Sequence, residues 1–141
     1  ATTWNQTKSS INQNISSLPN NLINGSDIDD KTILKAKDNV SSYKNFSSIN
    51  LKTKNFEDIE AINNSLIITN PPYGIRQNTI QEAELILTKF GDFLKQRCVG
   101  TTAFVFFGNK EIMKKIGLKP DKKIPINTGK LPGILCRYPI Y

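Results

Sequence analysis

Histidine is absent from the sequence, and cysteine occurs twice, as Cys98 and Cys136. No CxxC spacing is present. Without histidine or paired cysteines a zinc site is not expected, so no metal is predicted. Ser-His and Cys-His nucleophilic catalysis is excluded within this chain. The cysteines read as small buried apolar residues in a reducing compartment. No apolar run approaches the ~18 residues a membrane helix needs. The start carries no charged-then-apolar signal segment. A cytoplasmic location and no membrane partner are therefore expected.

Acidic residues are also in deficit, 12 against 19 lysines and arginines, for a net charge of +7 over 141 residues. The imbalance is local. Residues 110–137 hold Lys110, Lys114, Lys115, Lys119, Lys122, Lys123, Lys130 and Arg137 against Glu111 and Asp121, which is six of those seven net charges. A basic third of this kind suits a polyanion, with phosphate contacts that weaken as salt rises. A solvated lysine face is the equal alternative on charge alone.

What the chain does have is Leu66-Ile67-Ile68-Thr69-Asn70-Pro71-Pro72-Tyr73-Gly74. Four apolar or β-branched residues predict a short buried strand. Pro71 and Pro72 end it, because they donate no backbone hydrogen bond and hold φ near −65°. In open α/β sheets ligands lie beyond the carboxyl ends of strands, where Asn70 to Tyr73 would fall. The Asn70 amide oxygen and the Pro71 carbonyl can both accept hydrogen bonds from one amine. Tyr73 offers a stacking face. An exocyclic amine of a nucleobase is a weak nucleophile, since its lone pair is delocalised into the ring. Two fixed acceptors favour its pyramidal form and stabilise the positive charge that grows on nitrogen as it is alkylated. Methyl transfer of this type needs neither a metal nor a covalent intermediate.

Thr69-Asn70-Pro71-Pro72-Tyr73-Gly74 after an apolar strand resembles the catalytic motif of class I S-adenosylmethionine-dependent amino-methyltransferases. The surrounding text resembles in particular the THUMP-associated, large-subunit rRNA guanine-N2 methyltransferase-like enzymes, from about Asn24 onward. The resemblance implies transfer of a methyl group from S-adenosylmethionine to the exocyclic amine of a base in RNA, most readily guanine N2 of 23S rRNA. Asn70, Pro71, Pro72 and Tyr73 would be catalytic. N6-adenine methylation of DNA or RNA is the neighbouring reading. A non-catalytic nucleic-acid-binding fragment is the rival from another class.

The rest of the chain extends the resemblance. Trp4, Ile11, Ile15 and Leu18 have the spacing of a short amphipathic helix, broken at Pro19. Leu22 to Asp29 reads as a strand and acidic turn, with Asp29 or Asp30 capping a helix from Lys31 to about Tyr43. By similarity, Asp27 would hold the cofactor ribose, Ile28 would lie on its adenine and Asp29 would mainly cap. Ser48 to Lys54 alternates as a half-exposed strand should. Asn55 stands where the family usually has Asp, bonded to the adenine amine. Phe56 would flank the adenine or enter the core. A helix is predicted from Thr79 to about Gln96, a buried strand over Thr101–Gly108 and a short helix over Lys110–Ile116. Strands over Lys123–Asn127 and Ile134–Ile140 should follow, the last inserted antiparallel. Arg76, Lys114, Lys115, Lys122 and Lys123, with Tyr73, are the candidate RNA contacts.

The implied fold class is α/β, a Rossmann-like class I methyltransferase sheet with an antiparallel last strand. Its first strand and the Gly-rich cofactor loop have no match here. Residues 1–141 are therefore expected to be the C-terminal portion of a single catalytic domain. A preceding segment or partner chain would supply the missing central strand.

Overall fold

A computed structural model describes residues 2–16, 18–43, 46–72, 79–128 and 131–141. It contains two compact units, Ala1–Asn55 and Phe56–Tyr141.

In the first unit, α1 (Thr2–Gln13) precedes β1 (Ile23–Asp27), α2 (Asp30–Ser41) and β2 (Ile49–Thr53). β1 and β2 pair in parallel, from Ile23 opposite Ile49 to Asp27 opposite Thr53. Parallel neighbours need a crossover, and α2 supplies it. Asp29 caps that helix by accepting from the Lys31 and Thr32 amides, each at 3.2 Å, and from the Thr32 hydroxyl at 2.7 Å. Ile33 is buried, with Ala36 and Val40 half-buried on the same stripe, whereas Leu34 is exposed. The expected helix at the start is present but ends at Gln13, short of Ile15 and Leu18, and its apolar residues are not covered. Trp4, Ile11 and Ile15 are 70%, 62% and 55% exposed.

In the second unit, β3 (Leu66–Thr69), α3 (Ile80–Arg97), β4 (Thr102–Phe107), β5 (Lys122–Thr128) and β6 (Leu131–Pro139) build one sheet in the order β3-β4-β6-β5. β3 and β4 run parallel, and β6 lies antiparallel between β4 and β5. The antiparallel last strand is thus as expected. Alternation along β4 puts Ala103, Val105 and Phe107 inward. They meet Ala83, Leu87, Phe90 and Leu94, which recur on one face of α3 at helical spacing. Each fully buried Leu or Val contributes roughly 1.5–3 kcal/mol by leaving water. A capping box starts α3: Thr79 accepts from the Glu82 amide, and the Glu82 carboxylate accepts from the Thr79 amide. The predicted 110–116 helix is a 3-10 turn, Ile112–Ile116, ending at Gly117 with φ 66°. Lys122, Lys123 and Pro125 occupy the outer strand β5, residue types that discourage further pairing along an edge.

One expectation needs correction. β3 is not a buried strand: Leu66 is 60% and Ile68 73% exposed, while Ile67 and Thr69 are half-buried. It ends its sheet, and only its alternate residues face the core of this unit.

Candidate functional site

The carboxyl end of β1 is tied down by its own side chain. Asp27 Oδ1 accepts from the Asp29 amide at 2.9 Å, and the Asp27 carbonyl accepts from the Lys54 amide at 2.8 Å. The second carboxylate oxygen makes no hydrogen bond to another described residue. A half-buried carboxylate with one oxygen fixed and one spare can receive a hydroxyl pair. Ile28 follows and is 73% exposed, an apolar face beside that carboxylate. Asp29 is spent on the α2 cap, as the sequence implied. The Thr32 hydroxyl is the main cause of its lowered pKa, with the Lys31 and Thr32 amides adding to it.

Asn55 is half-buried after β2. Phe56 opens a 3-10 turn, Phe56–Asp58. Its ring meets Phe90 edge-on at 5.4 Å and Phe93 at 5.7 Å. Of its two expected surroundings, the aromatic core is the one it occupies here.

The carboxyl end of β3 carries Asn70, which is solvent-exposed rather than turned into the core, with Pro71 half-buried and Pro72 exposed. Strand pairing with β4 stops at Thr69, so the prolines end the ladder where their missing N–H groups require. Tyr73 and Arg76 lie outside the described residues.

The four candidate lysines do not share one face. Lys122 pairs across β5 and β6 with Arg137, and Lys123 with buried Cys136, so the two leave opposite sides of the sheet. Arg137 forks onto Asp121 at 2.9 and 2.6 Å, and this contact lowers the Asp121 pKa and raises that of Arg137. Lys115 is ion-paired with Glu84 at 2.9 Å. Lys114, Lys122 and Lys123 form no ion pair with a described residue and are exposed.

Cys98 and Cys136 are free and fully buried, and burial pushes both thiols up in pKa. No group of metal-ligating side chains occurs among the described residues. None of their helices is long and apolar enough to cross a membrane. An open concavity lined by Asn20, Asn21, Ser48 and Asn50 lies at the amino ends of β1 and β2, opposite the end that holds Asp27.

Residues 2–137 match the RMKL-like methyltransferase domain family, UPF0020. The chain belongs to this family. A Synechocystis sp. protein named RNA methyltransferase slr0064 is 41% identical over 118 residues, covering 83% of this chain and 31% of that protein. The ribosomal RNA large subunit methyltransferase K/L of Cellvibrio japonicus is 29% identical over 123 residues, 84% of this chain and 16% of that one. The chain thus spans a third or less of the length of these relatives. The crystal structure of the methyltransferase SMU.472, complexed with SAH, superposes with TM-score 0.77 at 24% identity, over 84% of this chain and 32% of that one.

As a member of this family, the chain has the α/β Rossmann-like fold class and the antiparallel last strand read from its sequence, with its described strands in two sheets. The residues at its strand ends suit an adenosyl cofactor on two counts. Asp27 keeps one carboxylate oxygen available, and Ile28 keeps its apolar face uncovered. A residue outside every motif also emerges: Arg97 bonds to the carbonyls of Glu57 and Ile59. Nothing in its sequence neighbourhood marks it.

Proposed function

We propose that this chain is the C-terminal part of a catalytic domain that methylates the exocyclic amine of a base in RNA, guanine N2 of 23S rRNA. The observation that carries the reading is Asn70, exposed at the carboxyl end of a parallel strand and followed by two prolines. When bound, S-adenosylmethionine supplies an electrophilic methyl carbon on sulfur. Asn70 accepts one hydrogen of the target amine through its amide oxygen, and Pro71 accepts the other through its carbonyl. Pro72 holds that carbonyl in place by restricting the backbone on both sides of it. The grip directs the nitrogen lone pair along one line and stabilises the charge gained on nitrogen until a proton is released to water. Preorganised acceptors of this kind are worth about 10²–10³ in rate per group.

Asp27 would receive the ribose hydroxyls through its spare oxygen, with Ile28 and Asn55 toward the adenine. Tyr73 stacks on the target base, which must be unpaired or flipped to reach it. Arg76 and the exposed Lys114, Lys122 and Lys123 contact phosphate, with Lys115 available once released from Glu84. RNA as substrate is supported by the names of the slr0064 and K/L relatives, and guanine by the sequence resemblance.

β1 and β3 each end their sheet, with an edge paired to no described strand. A first strand and Gly-rich turn, which the sequence does not supply, would come from a preceding segment or partner chain.

The test is to delete the gene encoding the full-length protein and map base modifications in the 23S rRNA. One N2-methylguanosine should disappear and return on complementation. An unchanged modification map would overturn the reading.

A further inference from the structure

We propose that the open face of the second unit's sheet is the docking surface for an amphipathic helix of the same polypeptide lying outside residues 1–141. That the polypeptide extends beyond these residues is taken from the reading above. The surface itself follows from the sheet, not from the methyl-transfer chemistry.

Alternation sends every second residue of this sheet away from α3. Leu66 and Ile68 on β3, Phe104 and Phe106 on β4, Leu135 on β6 and Ile124 on β5 share that side. Their register joins them, since Ile68 pairs with Phe104, Phe106 with Leu135 and Leu135 with Ile124. Leu66 and Ile68 are mostly exposed, and the other four are half-buried. The surface is levelled at Gly133: a Cβ there would stand 2.1 Å from the Phe106 ring, so the ring occupies the space over that residue. Among the described residues the charges on this side are Lys122 and Arg137, paired at one end of β5 and β6, and Asp121 already holds Arg137. A face so apolar offers little to the phosphates of an RNA.

Parallel strands such as β3 and β4 belong to sheets that are covered on both sides. Among the described residues the unit has one α-helix, α3, and it lies with the Ile112–Ile116 turn on the other side, in the core with Val105 and Phe107. The element that fits the open side is a helix with an apolar stripe at i, i+3, i+4 and i+7. The six side chains leave on the order of 400 Å² to be buried, about half the ~800 Å² per partner of a stable complex between separate chains. A helix on the same polypeptide is spared most of the association entropy, so an area this small can hold it. The relatives leave ample chain for it, since this chain covers 31% of the slr0064 protein and 16% of the K/L enzyme.

The experiment uses the full-length protein carrying Ile68→Cys, with Gln81→Cys on the exposed start of α3 as the reference. Under native conditions the thiol at position 68 should react with a thiol reagent about 10²-fold more slowly than the reference, because it must wait for the helix to lift. Replacing Ile68 by the photoreactive diazirine analogue of leucine identifies what lies on it, and carries the test if the cysteine variant does not fold. In a mixture of isotopically labelled and unlabelled protein, irradiation should give adducts to a helical peptide outside residues 1–141, within one isotopic chain. Labelling at position 68 as fast as at position 81 would overturn the proposal. So would adducts confined to residues 1–141, adducts between isotopic chains, or no protein adduct. None of these readouts uses methyl transfer, so an unchanged 23S rRNA modification map would overturn the catalytic reading alone.

Discussion

Replacing Gly91 with alanine should destabilise the protein, although the same change in most helices does the opposite. Gly91 is buried within α3, and alanine in a helix interior is ordinarily worth about 0.5–1 kcal/mol over glycine. Here an added Cβ would stand 1.8 Å from the Ile116 carbonyl oxygen and 2.7 Å from its carbon. Real contacts of this kind essentially never fall below 3.0 Å, so the Ile112–Ile116 turn would have to retreat by about 1.2 Å. It cannot do so freely. Ile112 and Ile116 are buried in the core, and the Lys115 carbonyl accepts from the Thr88 hydroxyl at 3.2 Å across the same interface. Overpacking of a filled core costs about 1–3 kcal/mol, which exceeds the gain in helix propensity. The expected net loss is about 1–2 kcal/mol, or a Tm lowered by about 5–15 °C for a unit of this size. Thermal unfolding of the full-length protein followed by circular dichroism measures it. Gln81→Ala, on the exposed start of the helix, should move Tm little. A Gly91→Ala Tm at or above the wild type would refute the account of this interface.

Stability should also fall in acid through the α2 cap. Asp29 has a lowered pKa in the folded state, so its contribution is present above the ordinary carboxylate value of about 3.9 and is lost as pH falls through the folded pKa. Asp29→Asn should flatten that limb of a stability–pH curve. Cys98 and Cys136, buried with raised pKa values, should resist thiol reagents in the native protein and react fully in denaturant; rapid native labelling would contradict their placement. Neutralising Lys114, Lys122 and Lys123 together should weaken RNA affinity and lower its salt slope by about 0.7–0.9 for each phosphate left without its lysine. An unchanged slope would return these lysines to solubility alone.

Elements with strong local signals were legible in the sequence. Thr79 and Glu82 announce α3, Asp29 announces α2, and Gly117 marks the end of the 112–116 turn, because caps and left-handed stops are local chemistry. The Asn70-Pro71-Pro72 stop was equally plain. Burial was harder to read. Leu66 and Ile68 have the composition of a buried strand, but which face is covered depends on neighbours that no local pattern records. The same holds for Trp4 and Ile11 on α1. Gly91 was invisible, since a close helix–turn approach follows from tertiary packing. Arg97 was hidden for a similar reason: its partners are backbone carbonyls some 40 residues earlier in the chain, and those leave no mark in residue types. The lysine cluster looked like one patch because sequence proximity conceals the alternation of faces along β5.

The account turns on Asn70, and methyl transfer measured directly is its sharpest test. Tritiated methyl incorporation into the cognate rRNA fragment should be followed at saturating S-adenosylmethionine with the full-length protein. Asn70→Ala should lower the rate by at least about 10²-fold while the circular dichroism spectrum and Tm stay those of the wild type. Turnover at the wild-type rate in that variant would remove the amide oxygen from the reaction.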